Sequence, residues 1–487
     1  MKTKSIITKG IAILILVIGL GSCEDFLREV PDSFITPENF YLTEADAYAA
    51  TIAAYSMLNS HDLFNNHLWP TIDMIADDID LRPGELTPDL VLLENYRFGP
   101  SDADRPTVNY NGCYYGIRDA NIVISRVSKM EINETLRTGF VAEARFLRAL
   151  YYFYLVRMFG DVPKVMDETR SLDSLKIPRS PAVEIYQEII VPDLQFAEEH
   201  LKPTAPEPGR ATIGAAKSLL ASVYLTMAGE PLSLGIPYYT LARDKALEVK
   251  DMNRYDLFTD FAEAFDPKKK NGIEHVFDVQ FDKNIPGKES IGMWLHWPRN
   301  IGLGNGLGLY MPSKSLMNSF EKKDKRITVT WKTEFPRQKD GRIIKFPAHI
   351  WKFYDQETYE ANNIPKASNN FPIIRYSEVL LIIAEAENEV SGPTGIALDA
   401  INKVRIRAGL DGLSGISQDA LRDSVFQERR HEFVAECKKW FDLIRTGRFL
   451  EAMTANGKLV EEKHKLFPIP QRERDVNDLM TQNPGYN

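Results

Sequence analysis

The sequence predicts a mainly α-helical chain: a scaffold of stacked helix pairs interrupted by an irregular, loop-rich region with short strands. Three observations carry this. Helix starts recur at roughly thirty residues, near the ~34 of tetratricopeptide repeats, so the array is TPR-like but degenerate. The stretch Ala142 to Val165, AEARFLRALYYFYLVRMFGDVPKV, sets Ala142 four residues before Phe146 and Ala149 four before Phe153. A small residue beside a ring lets a second helix approach and receive the ring. Periodicity fails in two places, His61 to Thr107 and Asp256 to Asn370, where Pro, Gly, Asp and aromatics crowd together.

The elements follow in order. Thr43 and Asp46 form a capping box before a helix whose inner face carries Tyr48, Ile52 and Tyr55. Val108 to Lys129 reads as helix, with Ile117, Ile124 and Val127 inward. The helix through Ala142 stops at Gly160-Asp161, and Pro163 keeps it stopped. Pro181 starts another that runs to Leu201, with a kink expected at Pro192. Thr212 opens TIGAAKSLLASVYLTMAG, whose apolar face holds Ala216, Leu219, Leu220, Val223 and Tyr224; Tyr239 to Val249 pairs with it. Ile273 to Phe281 alternates as a strand does. Helices return at Ser377 to Val390, Gly395 to Ala408 and Asp419 to Thr446, the last read as one long amphipathic helix. The tail, FPIPQRERDVNDLMTQNPGYN, is extended or turning.

The N-terminus addresses the chain. Lys2, Lys4 and Lys9 precede an apolar run, Ile11 to Leu20. A membrane span needs about 20 residues, so this run reads as a secretory signal. Leu20-Gly21-Ser22-Cys23 has the form of a bacterial lipobox. Cleavage there leaves Cys23 as the first residue, acylated on its thiol and amine, and each buried CH₂ of such chains contributes about 0.8 kcal/mol of anchoring. Glu24 and Asp25 follow, and Cys23 to Phe40 is a polar, proline-punctuated tether. Without the leader's three lysines, the 59 basic residues fall to 56 against 68 acidic ones, a net charge of −12. That balance offers no footprint for nucleic acid and little electrostatic attraction to anionic lipid. Cys113 and Cys437 are too few for a disulfide framework and read as buried thiols. No Cys/His spacing supports zinc.

Catalytic motifs are incomplete. His431-Glu432 suggests a metalloprotease, but the second histidine's place is taken by Ala435. Glu428, Glu432 and Glu436, interleaved with Arg429 and Arg430, read as a structural ion-pair network. Gly302, Gly304, Gly306 and Gly308 miss the G-x-G-x-x-G spacing at Leu307 and Leu309 and suggest a flexible or closely approached loop. No G-x-S-x-G element is present. Asp73, Asp77, Asp78 and Asp80 read first as a solvated acidic loop, next as sugar-hydroxyl acceptors, and last as a calcium site, since EF-hand spacing is missing. No cofactor is implied beyond the lipid on Cys23.

Binding is better supported. Trp69, Tyr96, Trp294, Trp297 and Tyr310 lie outside periodic helices, on loops held by a scaffold. A flat ring stacks on the C–H face of a sugar while polar neighbours bond its hydroxyls; Asn95 and Arg97 supply such groups. The competing reading is that these rings pack the loops down. Trp331, Trp351 and Trp440 read as packing residues.

Several stretches resemble the SusD/RagB family of surface glycan-binding lipoproteins. They are the Ala142 segment, Tyr114 to Asn121 (YYGIRDAN), RYSEVLLIIAEAENEV from Arg375, AINKVRIRAGL from Ala400, ERRHEFVAECKKWFDLIRTGR from Glu428, and the FPIP…QNPGY ending. They span nearly the whole mature chain in the family's order. Tyr110 stands where tryptophan is common, and Cys437 and Lys439 where glycine and arginine are usual. The acidic pair after Cys23 resembles the surface-export signal of such lipoproteins. The resemblance implies residues 1–22 as signal, 23–40 as tether, and a SusD-like domain over 41–487. Its scaffold would occupy 41–255 and 371–487, with a ligand-binding insertion at 256–370. It implies a non-catalytic protein of the outer membrane, facing the cell exterior. Such a protein captures an oligosaccharide, or in some members a peptide, for a SusC-like TonB-dependent transporter.

Overall fold

The computed structural model describes residues 40–168, 176–298, 306–336, 340–360 and 366–486. The expected signal (1–22), Cys23 and nearly all of the expected tether lie outside them. Helices carry the architecture. Those that build the scaffold are α1 Glu44–Ser56, α2 Leu68–Asp73, α3 Asp104–Ile122, α4 Glu134–Phe159, α5 Val191–His200, α6 Ile213–Ala228, α7 Ile236–Asp251, α8 Tyr376–Ser391, α9 Gly395–Arg407, α10 Gln418–Glu432 and α11 Lys439–Arg445. Each packs mainly on its neighbours: α1 on α3 and α4, α4 on α5, α5 on α6, α6 on α7, α7 on α8, and α8 on α9 and α10. The array therefore passes from α7 to α8 without the intervening residues. A helical repeat tolerates this because each unit needs only the adjacent face.

Local chemistry explains the boundaries. The capping box is formed: Thr43 Oγ1 accepts from Asp46 N–H, and Asp46 accepts from Thr43 N–H at 2.8 Å. In α4, Ala142, Phe146 and Ala149 are fully buried, and burying one such ring contributes about 1.5–3 kcal/mol. Gly160 ends α4 at φ 70°, a conformation that costs a glycine little. The Pro192 kink takes a particular form. Tyr186–Ile190 widens into a π turn before α5. Proline has no N–H and crowds the carbonyl four residues back, and the wider turn accommodates both.

The expected single helix Asp419 to Thr446 is two helices. α10 ends at Glu432 and α11 starts at Lys439. Between them Ala435 (φ 59°) and Cys437 (φ 56°) adopt left-handed conformations. Glu436 is thereby turned toward Lys352 and Arg375, and the Cys437 N–H reaches Asp73 Oδ1 at 3.1 Å. Helical spacing cannot reveal such a break, because the residues that compel it are distant in sequence. The stretch 61–107, expected to be mostly loop, holds α2, strand β1 Ile79–Leu81 and a helix Pro88–Glu94.

Strands β2 His275–Val279, β3 Tyr310–Pro312, β4 Trp331–Pro336, β5 Ile343–Ile350 and β6 Phe371–Arg375 complete the insertion. The sheets among the described residues are antiparallel pairs: β1 with β3, β2 with β6, β4 with β5, and a short pair Val162–Pro163 with Arg179–Ser180. The β2–β6 pair joins the two ends of the insertion and feeds directly into α8. β1–β3 ties the insertion to the first irregular stretch.

Candidate ligand-binding site

The site is built on a buried ion-pair network. Arg375 bonds Glu274 (2.5 Å), Glu432 (2.7 Å) and Glu436 (2.8 Å); Arg326 bonds Asp324 (2.8 Å), Glu428 (2.8 Å) and Glu432 (3.1 Å); Arg407 bonds Glu432 (2.5 Å) and Glu274 (3.1 Å). Burial alone would raise the pKa of Glu432, but Arg407, Arg375 and Arg326 pull it well below the carboxylate range. Lys352, pushed down to about 8 by burial, donates to the carbonyls of Glu432 (2.9 Å) and Val434 (3.0 Å) and to Glu436 (2.5 Å). His431 is neutral: burial and nearby cations push it to about 3, and its ring lies 4.1 Å from that of Phe320. The expected structural role of these charges holds, with arginines contributed from three separate segments. In α4 the charges pair outward rather than with each other: Arg148 with Asp193 at 2.7 Å, and Glu143 with Arg210.

Lys352 also faces a cavity of about 370 Å³ in the insertion, lined by Trp351, Tyr354, Lys332, Asp266, Gln356 and Glu357 among others. Trp351 and Tyr354 stack with centroids 4.8 Å apart at 21°. Trp297 lies behind, 4.8 Å from Trp351 and 5.9 Å from Tyr354, and Phe335 meets Trp297 edge-on at 5.2 Å. Lys332 Nζ sits 4.7 Å from the Trp351 ring centre, an arrangement the ring quadrupole favours. The β4–β5 hairpin sets this geometry, since Trp331 pairs with Ile350 immediately before Trp351. Tyr354 is half-buried and forms the accessible end of the stack. The carboxylates beside it are engaged. Hydrogen bonds from Lys268 and Lys283 hold Glu357 below its ordinary pKa, and Glu263 is lowered by Lys269. A glycosidase needs one carboxyl of the pair raised to act as acid. Asp73, raised to about 8 by burial, instead faces Cys437, and Asp278, raised to about 6, faces His275 at 3.9 Å.

The sequence-predicted residues do not converge. Trp69, 3% exposed, packs on His296, Phe353 and Phe371 with centroids within 5.1 Å. Tyr96 is buried with Phe98, Phe449 and His464, its hydroxyl donating to the Ile75 carbonyl. Trp297 is 2% exposed, and Tyr310 is buried opposite Leu81 in the β1–β3 pair. For these four rings the expectation of an open face is corrected. Loops this long must bury apolar surface too, and their own rings supply it. Trp294 is half-buried between the main core and the Trp297 cluster. Asn95 and Arg97 are exposed on the Tyr96 side, and Asn95 Nδ2 donates to Val91 O at 2.8 Å.

The acidic loop is corrected too. Asp73, Asp77 and Asp78 are buried. Asp77 and Asp78 pair with Arg430 at 3.0 and 2.6 Å, and Lys439 lies 3.5 Å from Asp77. These cations lie some 350 residues along, out of reach of local reading. Among the described residues no group of three His, Cys, Asp or Glu is arranged to hold a metal. Cys113 and Cys437 are both free and buried. The Gly306 position is a close approach: an added Cβ would fall 2.4 Å from the Trp297 carbonyl. Gly302 and Gly304 lie outside the described residues. Trp440 packs as expected at 0% exposure, and Trp331 is half-buried against Phe320. Missed from sequence were Tyr354 and Lys332. The aromatic density of Trp351-Lys352-Phe353-Tyr354 beside a strand was the available signal.

The fold and these segments have known counterparts. A family model described as the SusD family matches residues 345–486, and one described as "Starch-binding associating with outer membrane" matches residues 88–225. SusD-like protein P2 of Formosa agariphila is 28% identical over 98% of this chain and 99% of its own length. A laminarin-binding SusD-like protein shares the fold at 23% identity and TM-score 0.80, over 92% of this chain and 100% of its own. A SusD-superfamily protein of Parabacteroides distasonis is 31% identical, with TM-score 0.84, over 91% of this chain and 100% of its own. Matched from its first scaffold helices to its C-terminal tail, the chain belongs to the SusD/RagB family, whose members bind carbohydrate and are not enzymes.

Proposed function

We propose that this protein is a lipid-anchored surface protein that captures an oligosaccharide and passes it to a SusC-like TonB-dependent transporter. The observation that carries the reading is the Trp351–Tyr354 stack beside the 370 Å³ cavity. Cavities of this size suit small ligands, and a ring accessible at one end offers a sugar its flat face. Trp294, at the edge of the same cluster, is the second candidate platform. Lys332, Gln356 and Asp266 supply hydrogen-bonding groups. The laminarin-binding structural relative and the starch-binding family model support a glycan as ligand.

Anchoring falls to Cys23. No helix among the described residues is long and apolar enough to cross a membrane, and the family model names association with the outer membrane. Cys23→Ala should abolish fatty-acid labelling and release the protein from membranes. Isothermal titration with laminarin, xyloglucan and starch oligosaccharides should find one ligand with Kd of about μM to mM, about −8 to −4 kcal/mol, since captured cargo must be released. Tyr354→Ala should weaken that ligand about tenfold or more. A Tyr354→Ala variant that binds normally would remove this cavity from consideration. The detergent-extracted lipoprotein should co-purify with a β-barrel transporter, and its recovery alone would count against delivery.

A further inference from the structure

We propose that a second groove, in the helical scaffold and separate from the aromatic cavity, binds a peptide segment with an acidic side chain among aliphatic ones. The groove has a volume of about 970 Å³ and lies between the C-terminal end of α4, the loop after α6, α11 and the C-terminal tail. Its walls are apolar, with Val156, Val183, Leu232, Ile444 and Leu466 among them. Most charges on it are satisfied. Arg445 is tied to Glu385 and Asp442, Lys465 to Glu230 and Glu462, and Lys463 to Glu461.

Two are not. Arg157 is stacked between rings, its guanidinium carbon 3.6 Å from the Phe153 centroid and 3.9 Å from that of Phe441. Its Nε donates to the Phe153 carbonyl at 2.9 Å, and the hydroxyls of Tyr154 and Tyr186 are its other polar neighbours besides Glu378. No carboxylate among the described residues pairs with it. The nearby Glu378 is already bonded to Lys438 at 2.8 Å. Arg179 donates to the carbonyls of Asp161 and Thr481 and to the side chain of Asn483, all neutral acceptors. Asp161, the remaining rim carboxylate, is exposed, caps the Ala182 N–H at 2.8 Å and offsets part of the burial of Arg179. Burial lowers the pKa of both arginines, so each would gain from an anionic partner.

With Nε bonded to the Phe153 carbonyl, the terminal N–H groups of Arg157 remain to meet a carboxylate, which a guanidinium binds more strongly than a neutral acceptor. The walls are mostly aliphatic, and the two rings among them, Tyr186 and Phe441, are themselves buried, which favours a peptide over a sugar. The groove does not depend on the glycan reading above, so either can fail alone.

The test is a cellulose array of hexapeptides in matched pairs, each with one Glu or one Gln among Leu, Val and Pro, probed with the purified full chain. The Glu members should bind at least about fivefold better than their Gln partners. Arg157→Gln and Leu232→Trp, the second chosen to fill the groove without touching a charge, should each reduce that preference below about twofold, with circular dichroism unchanged. If Arg157→Gln does not fold, Leu232→Trp decides. The proposal is overturned if no pair shows a Glu preference, or if the preference survives in the folded variants. It is also overturned if trigalacturonate displaces the peptides at equal or lower concentration, which would make this an acidic-sugar site.

Discussion

Trp440 and Trp297 are almost equally inaccessible, at 0% and 2% exposure, yet only the first could be placed from its neighbours in sequence. Trp440 sits at helical spacing in α11, where the period of the backbone separates inside from outside. Trp297 follows a five-residue helix and is buried by Trp351, Tyr354 and Phe335, which come from a hairpin dozens of residues later. The scaffold buries its surface helix against helix and balances its internal charges with arginines. The insertion buries its surface ring against ring. An aromatic outside periodic structure is therefore not thereby exposed, and the accessible end of the cluster, Tyr354, is set by what remains uncovered.

The largest expected effect tests whether the charge network or the rings hold the two regions together. Arg375→Ala removes the cation that joins Glu274, Glu432 and Glu436, leaving Arg407 to the first two and Lys352 to the third. Breaking a buried pair costs about 3–5 kcal/mol, and urea denaturation should report a loss of that size or greater. A loss below about 1 kcal/mol would show that the network relaxes into water.

Next, Trp440→Ala and Tyr354→Ala should separate stability from binding. The first should cost about 3–5 kcal/mol, as a buried ring deletion does, with binding following the folded fraction. The second should cost about 1 kcal/mol or less, a surface-type effect, and weaken binding about tenfold or more. Equal stability losses in the two variants would erase the distinction drawn between the regions.

A smaller effect follows from Asp73. Its folded pKa of about 8 lies above the ordinary carboxylate value. The folded state thus holds a proton that the unfolded chain releases near pH 4. The stabilising contribution is full below about pH 4 and is lost as pH rises toward 8. Asp442 has the opposite sign: Arg429 and Arg445 more than offset its burial and hold it at about 2. Its contribution is present above about pH 4 and lost as pH falls toward 2. Asp73→Asn should flatten the stability profile between pH 4 and 8 and leave the acid limb in place. An unchanged slope would mean that Asp73 is ionised in the fold.

The smallest effect is expected at Cys437. Its φ of 56° is a conformation in which non-glycine residues are strained, and the family resemblance implies glycine there. Cys437→Gly relieves the strain and loses some packing, so stability should stay within about 1 kcal/mol of wild type. Cys437→Val, β-branched in the same conformation, should cost about 2 kcal/mol or more. Equal costs would show that packing, not backbone, governs the break between α10 and α11.

Much of this protein was legible in its residues alone. The helical class, the caps at Thr43, Thr212 and Gly160, the burial of Trp440, the family and the structural role of Glu428 and Glu432 all follow from spacing and wording. These depend on interactions within a few turns of backbone. Tertiary structure alone decided the rest: the break at Ala435 and Cys437, the pairing of Asp77 and Asp78 with Arg430, and the covering of Trp69, Tyr96, Trp297 and Tyr310. Each is imposed by partners far along the chain, and a local pattern carries no information about a charge or ring that arrives from elsewhere in the fold.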